Sequence, residues 1–203
     1  MTVLLPSSLR SHSIIIRGAG ELATSIAHRL AKVSFTVLCL EVERPLCVRT
    51  TISFASTILS SSGSCTVEGI TAQKASNIND VFTIWEQKKV AVLNAPHLSP
   101  ELLSSIKPLA IVDAMMTKTN SNGTHLSLAP LTIGLGPGFT AGEDVHFVIE
   151  TCRGHDLGRI NSKGKAIANT GIPGEIGSKT HERLLRACCD GVVTPLKIHW
   201  RFC

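Results

Sequence analysis

The side chains best suited to chemistry in this chain lie beside glycines and at the ends of apolar runs. Arg153 and His155 flank Gly154 directly after one such run, and Arg159 follows closely. Arginine offers paired N–H donors to a phosphate or carboxylate, and histidine moves protons near neutral pH. Asp113 closes another apolar run, residues 109–112. A carboxylate at the carboxyl end of a strand can hold a hydroxyl or a metal. Asp113, Arg153 and His155 are therefore the candidate catalytic residues. Each has a plainer alternative: a salt bridge to Asp156 and turn packing for the basic group, and a cap on the following segment for Asp113. Glu143 and Asp144 read as solvated turn acids, so no metal site is expected.

Two glycine loops are the candidate binding elements. Residues 14–17 form an apolar strand that runs into Gly18-Ala19-Gly20-Glu21-Leu22-Ala23, and a helical pattern and a second apolar run follow, ending in Glu41. In a GxGxxA turn, Gly18 allows the tight bend, Gly20 lets a pyrophosphate approach the backbone, and Ala23 lets the helix pack closely on the strand. Glu41 falls where a ribose-binding acid would sit. The alternative is a doubly wound sheet that keeps the turn without a ligand. The second loop carries Gly134, Gly136, Gly138 and Gly142, with Pro137 among them. Successive free amides in such a loop can form an anion nest, or the loop is a structural double turn. It has no GK[ST] ending and is not a Walker-type loop.

The elements that must position these residues alternate. Strands are expected at 13–17, 35–41, 90–93 and 109–113. Helices are expected at 21–32, after Asn77 or Asn79, and over 101–106 behind a Ser99 cap, with a hairpin or bulged strand near 66–71. From 131 onward helices nearly vanish: a strand enters the glycine loop, another leaves it over 145–150, and a hairpin is expected over 157–168 with its turn at 162–164. The expected fold is α/β, a Rossmann-like parallel sheet with helices on both faces over residues 13–150, followed by a mainly β appendage at 151–203.

The chain is long enough to bury a substantial core. Tyrosine is absent and only 4% of the residues are aromatic, which suits a packed α/β sheet better than a base-stacking platform. Residues 1–150 balance 11 Lys/Arg against 11 Asp/Glu, and residues 151–203 carry 9 against 4. With no run of five or six like charges, a nucleic-acid partner is not expected, whereas a small acidic ligand or a partner's acidic face is. The seven cysteines contain no CxxC and indicate neither a disulfide framework nor a zinc ribbon. No membrane segment or signal peptide is legible, and a reducing cytoplasm is the expected location.

With these motifs in place, the chain resembles the selenium-dependent molybdenum hydroxylase system proteins. The resemblance rests on IIIRGAGELATSIAHRL, LEVERP, IGLGPGFTAGEDVHFVIET, RGHDLGRI and NTGIPGEIG, and covers roughly residues 13–195. It implies a Rossmann-like accessory protein in the maturation or cofactor supply of molybdenum hydroxylases, with the hydroxylase or its cofactor as partner and a nucleotide or molybdopterin dinucleotide as ligand. It assigns no catalytic residues. Residues 185–193 look like the opening strands of a small lipoyl-like β-domain that the tail at 197–203 does not continue, so an incomplete final domain is expected. Two rival readings stand beside it. One is an NAD(P)-dependent oxidoreductase with Glu41 on the ribose and His155 as acid/base. The other is a non-enzymatic chaperone whose basic appendage docks on the apo-hydroxylase.

Overall fold

The computed structural model describes residues 12–121, 123–184, 188, 189 and 191. The chain divides into two compact units, Met1–Asn169 and Thr170–Cys203.

In the first unit the order is β1 (Ser13–Arg17), α1 (Glu21–Lys32), β2 (Thr36–Glu41), a 3-10 turn at Thr50–Ile52, α2 (Ser56–Leu59), β3 (Ser64–Val67), β4 (Ile70–Ala75), α3 (Ile78–Glu86), β5 (Val90–Asn94), α4 (Pro100–Ile106) and β6 (Ala110–Asp113). A 3-10 turn at Leu126–Leu128 leads to β7 (Leu131–Leu135), β8 (Thr140–Ala141), β9 (Phe147–Ile149), β10 (Ile160–Asn161) and β11 (Gly164–Lys165). Nine strands form one sheet in the order β10-β9-β7-β6-β1-β2-β5-β4-β3. All neighbours from β9 to β4 pair in parallel, and only the edge strands β10 and β3 run antiparallel. This is the Rossmann-like α/β sheet expected from the alternating pattern. Beyond Ile106 the described residues hold no α-helix, so the later part of the chain is β-rich.

Strand alternation sorts the apolar residues onto two faces. Ile14, Ile16, Val37, Cys39, Val90, Val92 and Val112 meet Ala23 and Ala27 of α1 together with Phe54 and Ala55. Ile15, Leu38, Leu40, Ala91, Leu93 and Ile111 meet Val81 and Ile84 of α3 and Leu102 and Ile106 of α4. Local signals fix the helix starts. The Asn77 side chain accepts from the Asp80 N–H at 3.1 Å, and Ser99 accepts from Leu102 at 3.2 Å with Pro100 in the first helical position.

The topology places the ligand end of the sheet. After β1 and β2 the chain crosses to β3 at the far edge, comes back through β4 and β5, and then lays β6 on the other side of β1. The winding reverses between β1 and β6, and in open α/β sheets the crevice outside the carboxyl ends at such a reversal receives the ligand. The loops after β1, β2, β6, β7 and β9 all emerge at that end.

Two expectations about the later chain change. The 157–168 segment is not a hairpin: β10 pairs with β9, whereas β11 pairs with β8. The buried Glu150 carboxylate accepts the Ile167 N–H at 2.7 Å and so ties the chain after β11 to the residue that follows β9. Residues 151–169 therefore belong with the sheet, and the boundary falls after Asn169 rather than at 150. In the second unit, the described residues show an antiparallel bridge between Ile176 and Lys179 and a 3-10 turn at His181–Arg183. Most of the expected strands over 185–193 lie outside the described residues.

Candidate functional site

The Gly18–Ala23 turn is built as its spacing predicts, but its two glycines do different work. Gly18 has φ +98°, and its N–H donates to the Leu40 carbonyl at 2.7 Å. A Cβ there would lie 3.3 Å from the Ala114 carbonyl oxygen on the loop after β6. The fold itself thus demands glycine at 18. Gly20 has φ −66° and open space within 4 Å of where a Cβ would stand. Nothing in the fold demands glycine at 20. It precedes the first turn of α1, no side chain caps that end, and Ala23 is fully buried against the sheet.

Glu41 sits at the end of β2 and reaches back to this turn. Its Oε2 accepts the Ala19 N–H at 2.8 Å and its Oε1 accepts the Val42 N–H at 2.8 Å. Each carboxylate oxygen has a second lone pair, so Glu41 can fix the turn and still accept from a ribose hydroxyl. At the rim, Arg49 pairs with Glu21 in the first turn of α1 at 2.9 Å.

Directly beneath the β1/β6 crevice lies a buried polar network. Arg17 and Asp113 are register partners on adjacent strands, each 1% exposed, with Nη1 to Oδ2 at 3.3 Å. Thr124, also fully buried, donates its hydroxyl to Asp113 Oδ2 at 2.6 Å and bonds the Arg17 guanidinium. Asp113 Oδ1 accepts the Met115 N–H at 3.2 Å. The Asn120 amide clasps both backbone groups of Thr124. Burial pushes the Arg17 pKa down from its ordinary value, and the Asp113 carboxylate acts against that. Asp113 therefore faces inward as part of the crevice floor, satisfying an arginine rather than presenting itself to a ligand.

The glycine loop after β7 is mostly closed by packing. A Cβ on Gly134 would stand 2.4 Å from the Phe139 ring, one on Gly136 2.5 Å from Thr151 Oγ1, and one on Gly138 2.7 Å from the Thr119 backbone nitrogen. These three glycines let the loop lie against its own fold. Gly142, with φ +85°, is exposed and has only the Ser162 carbonyl near its Cβ position, at 3.8 Å. Asp144 accepts the Thr140 N–H at 2.7 Å and so braces the turn.

Arg153 and His155 lie on the exposed loop after β9, where Arg159 pairs with Asp156 at 2.9 Å. β9 is three strand positions from β1, about 14 Å at the usual strand spacing. The sheet sets them at the carboxyl end but does not bring them to the Gly18 turn. Among the described residues, no group of three or more His, Cys, Asp or Glu could hold a metal ion. The described cysteines are free thiols.

Glu150 is the strongest organising acid of this end. It is 3% exposed, and its Oε1 accepts from Thr151 at 2.8 Å and Cys152 at 2.7 Å while Oε2 takes Ile167. Burial pushes its pKa up, but the three backbone donors outweigh that and hold it below the ordinary carboxyl range. Because the folded-state pKa is depressed, its stabilisation is complete above the unfolded value of about 4.3 and is lost as pH falls through the folded value. Glu150→Gln, which confronts one of the three amides with an NH2 group, is expected to cost about 1–3 kcal/mol at neutral pH. It should also flatten the acid limb of stability, as measured by urea unfolding between pH 7 and pH 3.

Fold and site together define a Rossmann-like α/β protein with a glycine turn and an acidic residue at the switch point of its sheet. A protein of Escherichia coli (strain K12), described as "Uncharacterized protein YqeB", is 43% identical over 192 residues, which is 94% of this chain and 35% of that protein. The chain thus spans about a third of the length of the relative it matches. No family model and no solved structure matches it. No helix among the described residues is long and apolar enough to cross a membrane.

Proposed function

We propose that this chain binds a nucleotide or dinucleotide across the carboxyl ends of β1, β2 and β6, and acts as an accessory protein in the maturation or cofactor supply of molybdenum hydroxylases. One observation carries the binding: Gly20 is glycine where the fold does not need it, at the uncapped amino end of a 12-residue helix. The free amides and positive end of α1 suit a phosphate that approaches the bare backbone at Gly20. Glu41 ends the strand next to β1, bonds the turn through the Ala19 N–H, and has lone pairs to spare for a ribose. A molybdopterin dinucleotide carries both a pyrophosphate and a ribose, so these residues fit it as well as they fit a nicotinamide dinucleotide. The hydroxylase role follows from the sequence resemblance, and the oxidoreductase reading gains no geometric support from the exposed, distant His155.

The test is a thermal-shift panel of NAD, NADP, ATP, CTP and molybdopterin dinucleotides. A ligand at 100 times its Kd stabilises the folded state by about 2.7 kcal/mol. Gly20→Val should keep the wild-type circular dichroism and lose that shift. A panel with no shift on the wild type, or a full shift on Gly20→Val, overturns the proposal.

A further inference from the structure

A second recess lies along the outer side of α1, away from the β1/β6 crevice. Helical spacing lines up Ser25, His28, Arg29 and Lys32 on one wall, and Ile52 and Val67 form an apolar opposite side. The cleft is open to solvent along one side and has a volume of about 390 Å³, within the range of small-ligand pockets.

Its lining carries two carboxylates, Glu21 and Glu68, and two cations, Arg29 and Lys32, and they differ in their pairing. Glu21, at the far end, is taken by Arg49, and Glu68 lies 4.0 Å from the His28 ring. Arg29 and Lys32 make no ion pair among the described residues. Cations in a last helical turn complement the helix dipole, which accounts for their presence. It does not account for a histidine nine-tenths buried in the wall between them and the Glu68-Gly69 turn. The His28 Nε2–H donates to the Glu68 carbonyl at 3.3 Å, which fixes the ring.

We infer that this cleft is a binding site for a small organic anion. A phosphate or carboxylate head would sit between Arg29 and Lys32 beside His28, and an apolar body would lie on Ile52 and Val67. Arginine and lysine contribute charge-assisted donors to the head. The apolar side selects against inorganic ions, which cannot use it.

Phenyl phosphate and benzoate are suitable probes, with benzyl alcohol as the uncharged control, followed through the NMR signals of the His28 imidazole in the full chain. Saturable shifts with one or both anions are expected, and which of them binds identifies the head group. Arg29→Gln/Lys32→Gln, both exposed, should leave the spectrum folded and weaken binding about tenfold or more. Gly20→Val should bind as the wild type, separating this site from the nucleotide site. No saturable shift with either anion, an equal response to benzyl alcohol, or unchanged affinity in the double variant overturns the inference.

Discussion

Asp113→Ala is expected to destabilise the protein by about 3–5 kcal/mol, the usual cost of breaking a buried ion pair by removing one member. At this chain length that lowers Tm by roughly 10 °C. The size of the effect follows from where the pair sits. Arg17 and Asp113 close the two central strands at the same register level, and neither reaches water. Removing the carboxylate breaks the buried pair with the guanidinium and leaves the Thr124 hydroxyl and the Met115 N–H without their acceptor. Because Thr124 holds the loop after β6, which touches Gly18 through Ala114, the loss should also loosen the floor of the crevice. The double replacement Arg17→Met/Asp113→Leu separates charge from hydrogen bonding: buried ion pairs exchanged for well-packed apolar residues are often neutral, so it should recover the part of the loss that comes from the charge and keep the part that comes from the Thr124 hydroxyl and the Met115 N–H. A ligand-binding Asp113 would behave in the opposite way, with unchanged Tm and lost affinity. Urea unfolding of the three variants beside the thermal-shift panel decides between the two.

How legible this was in the sequence depended on the range of the interaction. Local patterns were read correctly because the signal and its consequence lie within a few residues: the Ser99 cap of α4, the Glu68-Gly69 turn between β3 and β4, and the apolar run of β1. The Glu41 carboxylate was also legible, since the spacing of a strand-turn-helix-strand unit fixes where its second strand ends. Long-range pairs were not. Arg17 and Asp113 are 96 residues apart, and only the strand order makes them neighbours. A trace of the pair was there to be seen, since each is a charge closing an apolar run and two such runs in a parallel sheet bring their last residues level. Glu150 left no trace of this kind. Its role is to gather amides from residues 151, 152 and 167, and nothing in the residue types around it marks a carboxylate that will be buried. The two glycine loops looked alike as sequence because a glycine required by sterics and a glycine that leaves room for a ligand are the same letter.

The glycines therefore make the sharpest graded test of how this end of the sheet works. Gly138→Ala is expected to cost about 3 kcal/mol or more, because two penalties coincide. Its φ of +113° lies where a side chain is strained by about 1–3 kcal/mol. The new Cβ would also stand 2.7 Å from the Thr119 nitrogen and 2.8 Å from the Lys118 carbonyl carbon, which are backbone atoms that cannot rotate away. Gly142→Ala meets only the first kind of penalty, of about 1–2 kcal/mol, since its nearest neighbour is 3.8 Å away. Gly20→Ala meets neither, and its stability should stay within about 0.5 kcal/mol of the wild type. Unfolding by guanidinium should thus rank the variants Gly138, Gly142, Gly20 in order of loss. If Gly138→Ala proves as stable as the wild type, the loop after β7 is not packed on the 118–119 backbone and an open nest for an anion becomes the better description. If the ranking holds, the loop after β7 is scaffold, and a change at Gly20 that leaves stability untouched while removing affinity locates the ligand's phosphate on α1.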